Sequence, residues 1–180
     1  MGRSALNLNP NQQEIMDELF EEMAKVHKEI GESLIEIIDL KKELAQSSME
    51  IDERFYQLLF SVLASAFTLY LPFNPKFKAI TKTPHNLSIL WSYVFGCGFW
   101  LGRMVSIDEG HVIKLTGITL LEAFGLSAEQ SLNAFKRIED IGAEPYSICV
   151  EKGIESMDKF MSNESAVIPI DTAIATYWSD

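Results

Sequence analysis

Met16, Met23, Ile30, Ile37, Leu44, Ile51 and Leu58 recur every seventh residue, and all seven are apolar. A seven-residue step returns a side chain to nearly the same edge of an α-helix after two turns. Three residues further on in each heptad come Leu19, Val26, Ser33, Leu40, Ser47, Arg54 and Ser61, of which only three are apolar, so a second seam fades after Leu40. Phe20, Leu34, Ile38 and Phe55 broaden the stripe. That breadth fits a helix packed in a bundle better than an isolated two-stranded coiled coil. The phase runs through Ser47-Ser48 without a skip, which permits one helix from about residue 12 to 71. Against a single helix, Ser47-Ser48-Met49-Glu50 reads as a capping box, and Asp52 and Glu53 suit a new N-terminal dipole. The pattern therefore predicts a break at 46–48 and a helix pair over 13–71.

The remainder divides at its glycines and prolines. Residues 1–12 are polar and predict a flexible N-terminal segment. The run FYQLLFSVLASAFTLYL stops before Pro72 and Pro75, and PFNPKFKAITKTP reads as a loop. A helix follows from Pro84 through NLSILWSYVFGCGFWLGRM, with Gly96, Gly98 and Gly102 permitting close backbone packing. Ser106-Ile-Asp-Glu109 predicts a capping box opening a helix to Gly125. Ser127-Ala-Glu-Gln130 predicts a second one, opening a helix to Gly142. Pro145 suits the first turn of a helix to about Met161. The C-terminal tail, 163–180, carries short β-like runs and predicts an extended strap across the bundle. The expected fold is all-α: a single bundle of about six helices over 13–162, with four shorter helices in 84–162.

Charge sharpens this picture. The chain of 180 residues has a formal net charge of −11 and is 47% hydrophobic, enough apolar content for one substantial core. Residues 1–53 hold 13 acids and 5 bases, 54–107 hold 5 bases and no acid, and 108–180 hold 13 acids and 5 bases. Such acidity argues against direct binding to nucleic acid or to anionic membrane. The start, MGRSALNLNPNQQ, has no apolar core for a secretory signal, and Leu6 stands where myristoylation wants Ser or Thr. Two cysteines, Cys97 and Cys149, make no disulfide framework and read as reduced thiols of a cytoplasmic protein.

Acidic side chains on the first helices supply the first candidate site. Glu29, Glu32, Glu36, Asp39 and Glu43 stand three or four apart and share a helix face. Lys25, Lys28, Lys41 and Lys42 are interleaved as local partners, as on a solvated face, and that reading carries the greater weight. Glu29-x-x-Glu32, then 17 residues, then Glu50-x-x-Glu53 resembles the magnesium-binding pattern of the all-α NTP pyrophosphohydrolases. Those enzymes carry Glu-x-x-Glu on one helix and Glu-x-x-Asp on the next; here Glu53 replaces the Asp. The resemblance covers 29–53 alone. It implies a magnesium site at Glu29, Glu32, Glu50 and Glu53 on two facing helices, and with it a magnesium-dependent nucleotide pyrophosphohydrolase. Without that resemblance no cofactor is expected.

Uncharged stretches at 55–73 and 86–102 flank a lysine loop, an arrangement also compatible with a membrane hairpin. Gln57, Ser61, Ser65 and Thr68 dilute the first stretch, which favours two central helices of a bundle. Lys76, Lys78 and Lys82, with Phe73 and Phe77, form a candidate loop for an anion or an acidic partner. No HExxH, GxSxG, Walker A or dinucleotide motif is present, and Trp91, Tyr93, Phe95, Phe99 and Trp100 read as core. The leading expectation is thus a non-catalytic, regulatory interaction protein that binds a protein partner and self-associates. The expected interface is the seam of Met16, Leu19, Met23, Val26, Ile30, Ile37, Leu44 and Ile51. The pyrophosphohydrolase and the membrane hairpin stand as alternatives.

Overall fold

A computed structural model describes residues 10–46, 53–70, 83–165 and 174–177. Within the helices the side chains of 10–13, 15, 16, 41–46, 53, 54, 69, 70 and 175 are excepted. Seven α-helices and no strand occur among the described residues, so the all-α expectation holds. They are α1 (Pro10–Gln46), α2 (Glu53–Tyr70), α3 (Pro84–Met104), α4 (Glu109–Phe124), α5 (Ala128–Lys136), α6 (Ile138–Ile141) and α7 (Ala143–Met161), with a 3-10 turn at Ala175–Tyr177. The N-terminal heptads lie on α1 and α2, and the break expected at 46–48 falls mostly outside the described residues. The Ser47–Glu50 capping box lies outside the described residues, as do residues 1–9 and most of the expected extended tail.

α3 is the centre of the molecule. Every residue from Asn86 to Gly98 is buried, which explains an uncharged stretch without a membrane: a helix apolar all round is one enclosed by other helices. No helix among the described residues is long and apolar enough to cross a membrane. Thr83 caps α3 by accepting from the Asn86 N–H at 3.2 Å, and Pro84 occupies the first turn, where no N–H is needed. Its two buried serine hydroxyls are satisfied. Ser88 donates to the Ala134 carbonyl at 2.8 Å, tying α3 to α5, and Ser92 donates to the Ser88 carbonyl at 2.8 Å.

The most extensive helix pair is α3 with α7, and glycine sets its spacing. A Cβ on Gly96 would stand 2.1 Å from the Val150 carbonyl oxygen, and one on Gly153 would stand 2.2 Å from that of Tyr93. The two backbones thus meet reciprocally, each through the other's missing side chain. Cys97 adds a weak S–H donor to the Gly153 carbonyl at 3.4 Å.

Caps agree with the sequence at three ends and differ at one. Ser127 opens α5 with both bonds of the capping box, Gly125 closes α4 at φ 63°, and Pro145 lies in the first turn of α7. The box expected at Ser106 does not form. Ser106 takes φ 56° in the turn closing α3, and Asp108 caps α4, its carboxylate accepting from the His111 N–H at 3.1 Å. Asp is at least as strong a cap as Ser, and the Ile107 N–H is already bonded back to the Gly102 carbonyl at 2.8 Å. The helix expected over 127–142 is divided at Arg137 into α5 and the four-residue α6.

Candidate functional site

α1 packs along Met23, His27, Gly31, Leu34 and Ile38, which are all buried and step by four, four, three and four. This line lies to one side of the heptad seam. Of the expected interface residues, Met23 is buried, Val26, Ile30 and Ile37 are half-buried, and Leu19 is 40% exposed. The side chains of Met16, Leu44 and Ile51 lie outside the described residues. Part of the cover on this helix is therefore α2 of the same chain. The fully buried His27 fixes that pairing: its Nδ1 lies 2.9 Å from the Met23 carbonyl oxygen and its Nε2 3.1 Å from that of Ala66 on α2.

The carboxylates of α1 face outward. Glu14, Asp17, Glu18, Glu21, Glu22, Glu29, Glu32, Glu36 and Asp39 are all exposed, with Lys25 and Lys28 among them. Lys28 pairs with Glu32 at 3.7 Å. Glu53 begins α2, and Glu50 lies outside the described residues. With α1 and α2 antiparallel and His27 opposite Ala66, Glu53 comes level with Leu40, about 12 Å along the axis from Glu32. No group of three or more His, Cys, Asp or Glu placed to hold a metal occurs among the described residues. Lys76, Lys78 and Lys82 also lie outside them.

The concave apolar surface of the molecule lies elsewhere, between α4 and α5. Helix α5 buries Ser131 and Ala134 and leaves Leu132 51% and Phe135 37% exposed. These two residues, one turn apart, wall a groove of about 320 Å³ whose other side is Ile113, Ile118 and Leu121 of α4, with Trp91 beneath. Trp91 stacks on Phe95 at 5.3 Å and meets Phe135 at 4.9 Å. Beyond Phe135 the groove continues into a second cavity of about 470 Å³ between α4, α6 and the start of α7, lined there by Glu109, Glu139 and Tyr146. Burial pushes the Tyr146 hydroxyl above the ordinary phenol range, and the charge of Glu109 adds to the effect.

The remaining reactive groups are structural. Cys97 and Cys149 are free thiols at 0% exposure, and burial pushes both up, Cys149 to about 11; a thiol held neutral is a poor nucleophile. His111 hydrogen-bonds the Asp108 carboxylate, and that bond, with the His111 N–H, holds Asp108 below the usual carboxylate range. The pair is exposed and completes a helix cap. Trp91, Tyr93 and Phe95 are core, as the sequence predicts, though Trp91 and Phe95 also underlie the groove. Comparison with family models, with curated proteins and with solved structures finds no match.

The sequence signal for the groove was the pair Leu132 and Phe135, apolar at i and i+3 on a helix whose adjoining face carries Ser131 and Ala134. It is faint because a nine-residue helix gives too few turns to establish a second stripe.

Proposed function

We propose that this chain is a non-catalytic helical interaction protein of the cytosol that self-associates through the α4–α5 groove. The observation that carries the reading is the exposure of Leu132 and Phe135 beside an apolar depression. Adjacent large apolar side chains at the rim of a groove are the usual anchors of a protein interface. Covering the 51% of Leu132 and the 37% of Phe135 still exposed stabilises association by about 1 kcal/mol each. Charge supports this face over α1. Among its described side chains the outer side of α1 carries nine carboxylates against two lysines, so two copies meeting there repel. Lys114, Lys136, Glu122 and Glu129 around the groove are of mixed sign, which suits a face meeting its own copy about a two-fold axis.

Light scattering over a wide concentration range tests the proposal, on the wild type and on Leu132→Glu/Phe135→Glu. The expected result is a concentration-dependent dimer in the wild type and a monomer with unchanged helical circular dichroism in the double variant. A wild type that stays monomeric at high micromolar concentration refutes self-association. A dimer that survives both substitutions moves the interface off this groove.

A further inference from the structure

The second cavity shares Trp91, Ile113 and Phe135 with the groove and adds chemistry of its own. Trp91 and Phe95 of α3, Phe135 of α5 and Tyr146 of α7 supply aromatic walls, and Glu109 of α4 and Glu139 of α6 supply carboxylates. Its volume of about 470 Å³ falls within the range of small-molecule sites. We infer that this cavity binds an alkylammonium group, a quaternary or multiply alkylated amine, held against the aromatic faces with Glu109 and Glu139 as counter-charges.

Three features point to that class of ligand. First, aromatic faces carry negative electrostatic potential and attract cations, and an alkylated ammonium is weakly hydrated, so it loses little on leaving water. Second, the walls offer carbon rather than converging oxygens, which disfavours a metal ion; a neutral apolar ligand would leave the carboxylates without a role. Third, Lys136 also lines the cavity, yet no ion pair joins it to Glu109 or Glu139 among the described residues. The negative charge is therefore only partly offset by Lys136. Tyr146, raised above the ordinary phenol range mainly by burial, is raised further by the charge of Glu109 beside it. The remaining contacts of the site are apolar, from Ile113 and Ile138.

Choline and its uncharged isostere 3,3-dimethylbutan-1-ol, titrated into the intact chain by calorimetry and heteronuclear NMR, test the assignment. Choline is expected to bind about tenfold more tightly than the alcohol and to shift the indole resonance of Trp91. Glu139→Gln weakens choline by about fivefold, and Lys136→Met, which removes the competing positive charge, strengthens it by a similar factor. Both positions are exposed, so neither change threatens the fold. Equal affinity for choline and the alcohol, or no response of choline binding to either substitution, overturns the inference. A trimethyl-lysine peptide and phosphatidylcholine vesicles, run in parallel, separate a protein-borne from a lipid-borne source of the same group. Titration at a concentration where the chain is monomeric, repeated on Leu132→Glu, which lies outside the cavity, keeps the result separate from self-association.

Discussion

Replacing Gly96 by Ala should destabilise the protein, although alanine is the better helix former. Within a helix the exchange normally contributes about 1 kcal/mol of stability. At position 96 the new methyl would lie 2.1 Å from the Val150 carbonyl oxygen and 2.9 Å from its carbon, where ordinary contact begins at 3.4 Å. The obstacle is backbone on both sides, so no rotamer change relieves it, and α3 and α7 must part by about 1.3 Å. Overpacking of this kind costs about 1–3 kcal/mol. Loss of contact along the most extensive helix pair puts Gly96→Ala at or above the top of that range, a net loss of about 2 kcal/mol or more. For a chain of this size that lowers Tm by about 4–8 °C. Gly31→Ala is the matched control. Its methyl would meet only the Phe160 ring at 3.6 Å, an ordinary contact, so it should raise Tm by about 2–4 °C. Differential scanning calorimetry with circular dichroism on both variants reads the two signs directly. A Gly96→Ala protein melting at or above the wild type would refute the close backbone contact on which the α3–α7 packing rests.

Two further outcomes follow from the buried thiols and from the outward carboxylates. Because burial raises Cys149 to about 11, the folded core holds the neutral thiol while the unfolded chain ionises at the ordinary thiol value. The stabilisation is complete below that value and is lost as pH rises from there to about 11, on the order of 2 kcal/mol. Melting curves taken with rising alkalinity should therefore fall less steeply in Cys149→Ala than in the wild type, and equal slopes would contradict this. Magnesium with nucleotides should leave the melting temperature unmoved. A shift that Glu32→Gln removes would instead establish the pyrophosphohydrolase arrangement and displace the interaction reading.

Much of the architecture was legible because it depends on local chemistry. Pro84, Gly125, Ser127 and Pro145 each dictate a helix end through one backbone requirement, and each end stands where those residues place it. What escaped was the rotation of α1. Its packed line passes through His27 and Gly31, which a pattern of apolar residues counts as gaps. Glycine marks a close approach only when the approaching helix is known, and the same holds for Gly96 and Gly153. The groove escaped for the converse reason: Leu132 and Phe135 look like core residues unless the burial of Ser131 and Ala134 is known.

His27 explains why the N-terminal helices pair in one register. The packed line of α1 repeats in steps of three and four, so α1 and α2 could slide by two turns and still bury apolar surface. The imidazole removes that freedom. Each of its nitrogens faces a carbonyl oxygen, one on its own helix and one on α2 at Ala66, and the ring is wholly buried. Any slip takes Nε2 away from Ala66 and leaves a buried polar atom unpaired, at a cost of about 1–3 kcal/mol. Carbonyls only accept, so a neutral ring donates to one of them alone; with the proton on Nε2 that bond is the one to Ala66, and the Nδ1 lone pair gains nothing from the Met23 carbonyl. A single polar side chain thus does for this hairpin what a lone buried Asn does for a coiled coil: it gives up some stability to choose among otherwise equivalent alignments. The chosen alignment turns Glu29 and Glu32 outward and sets them apart from Glu53, leaving the concave apolar surface to α4 and α5.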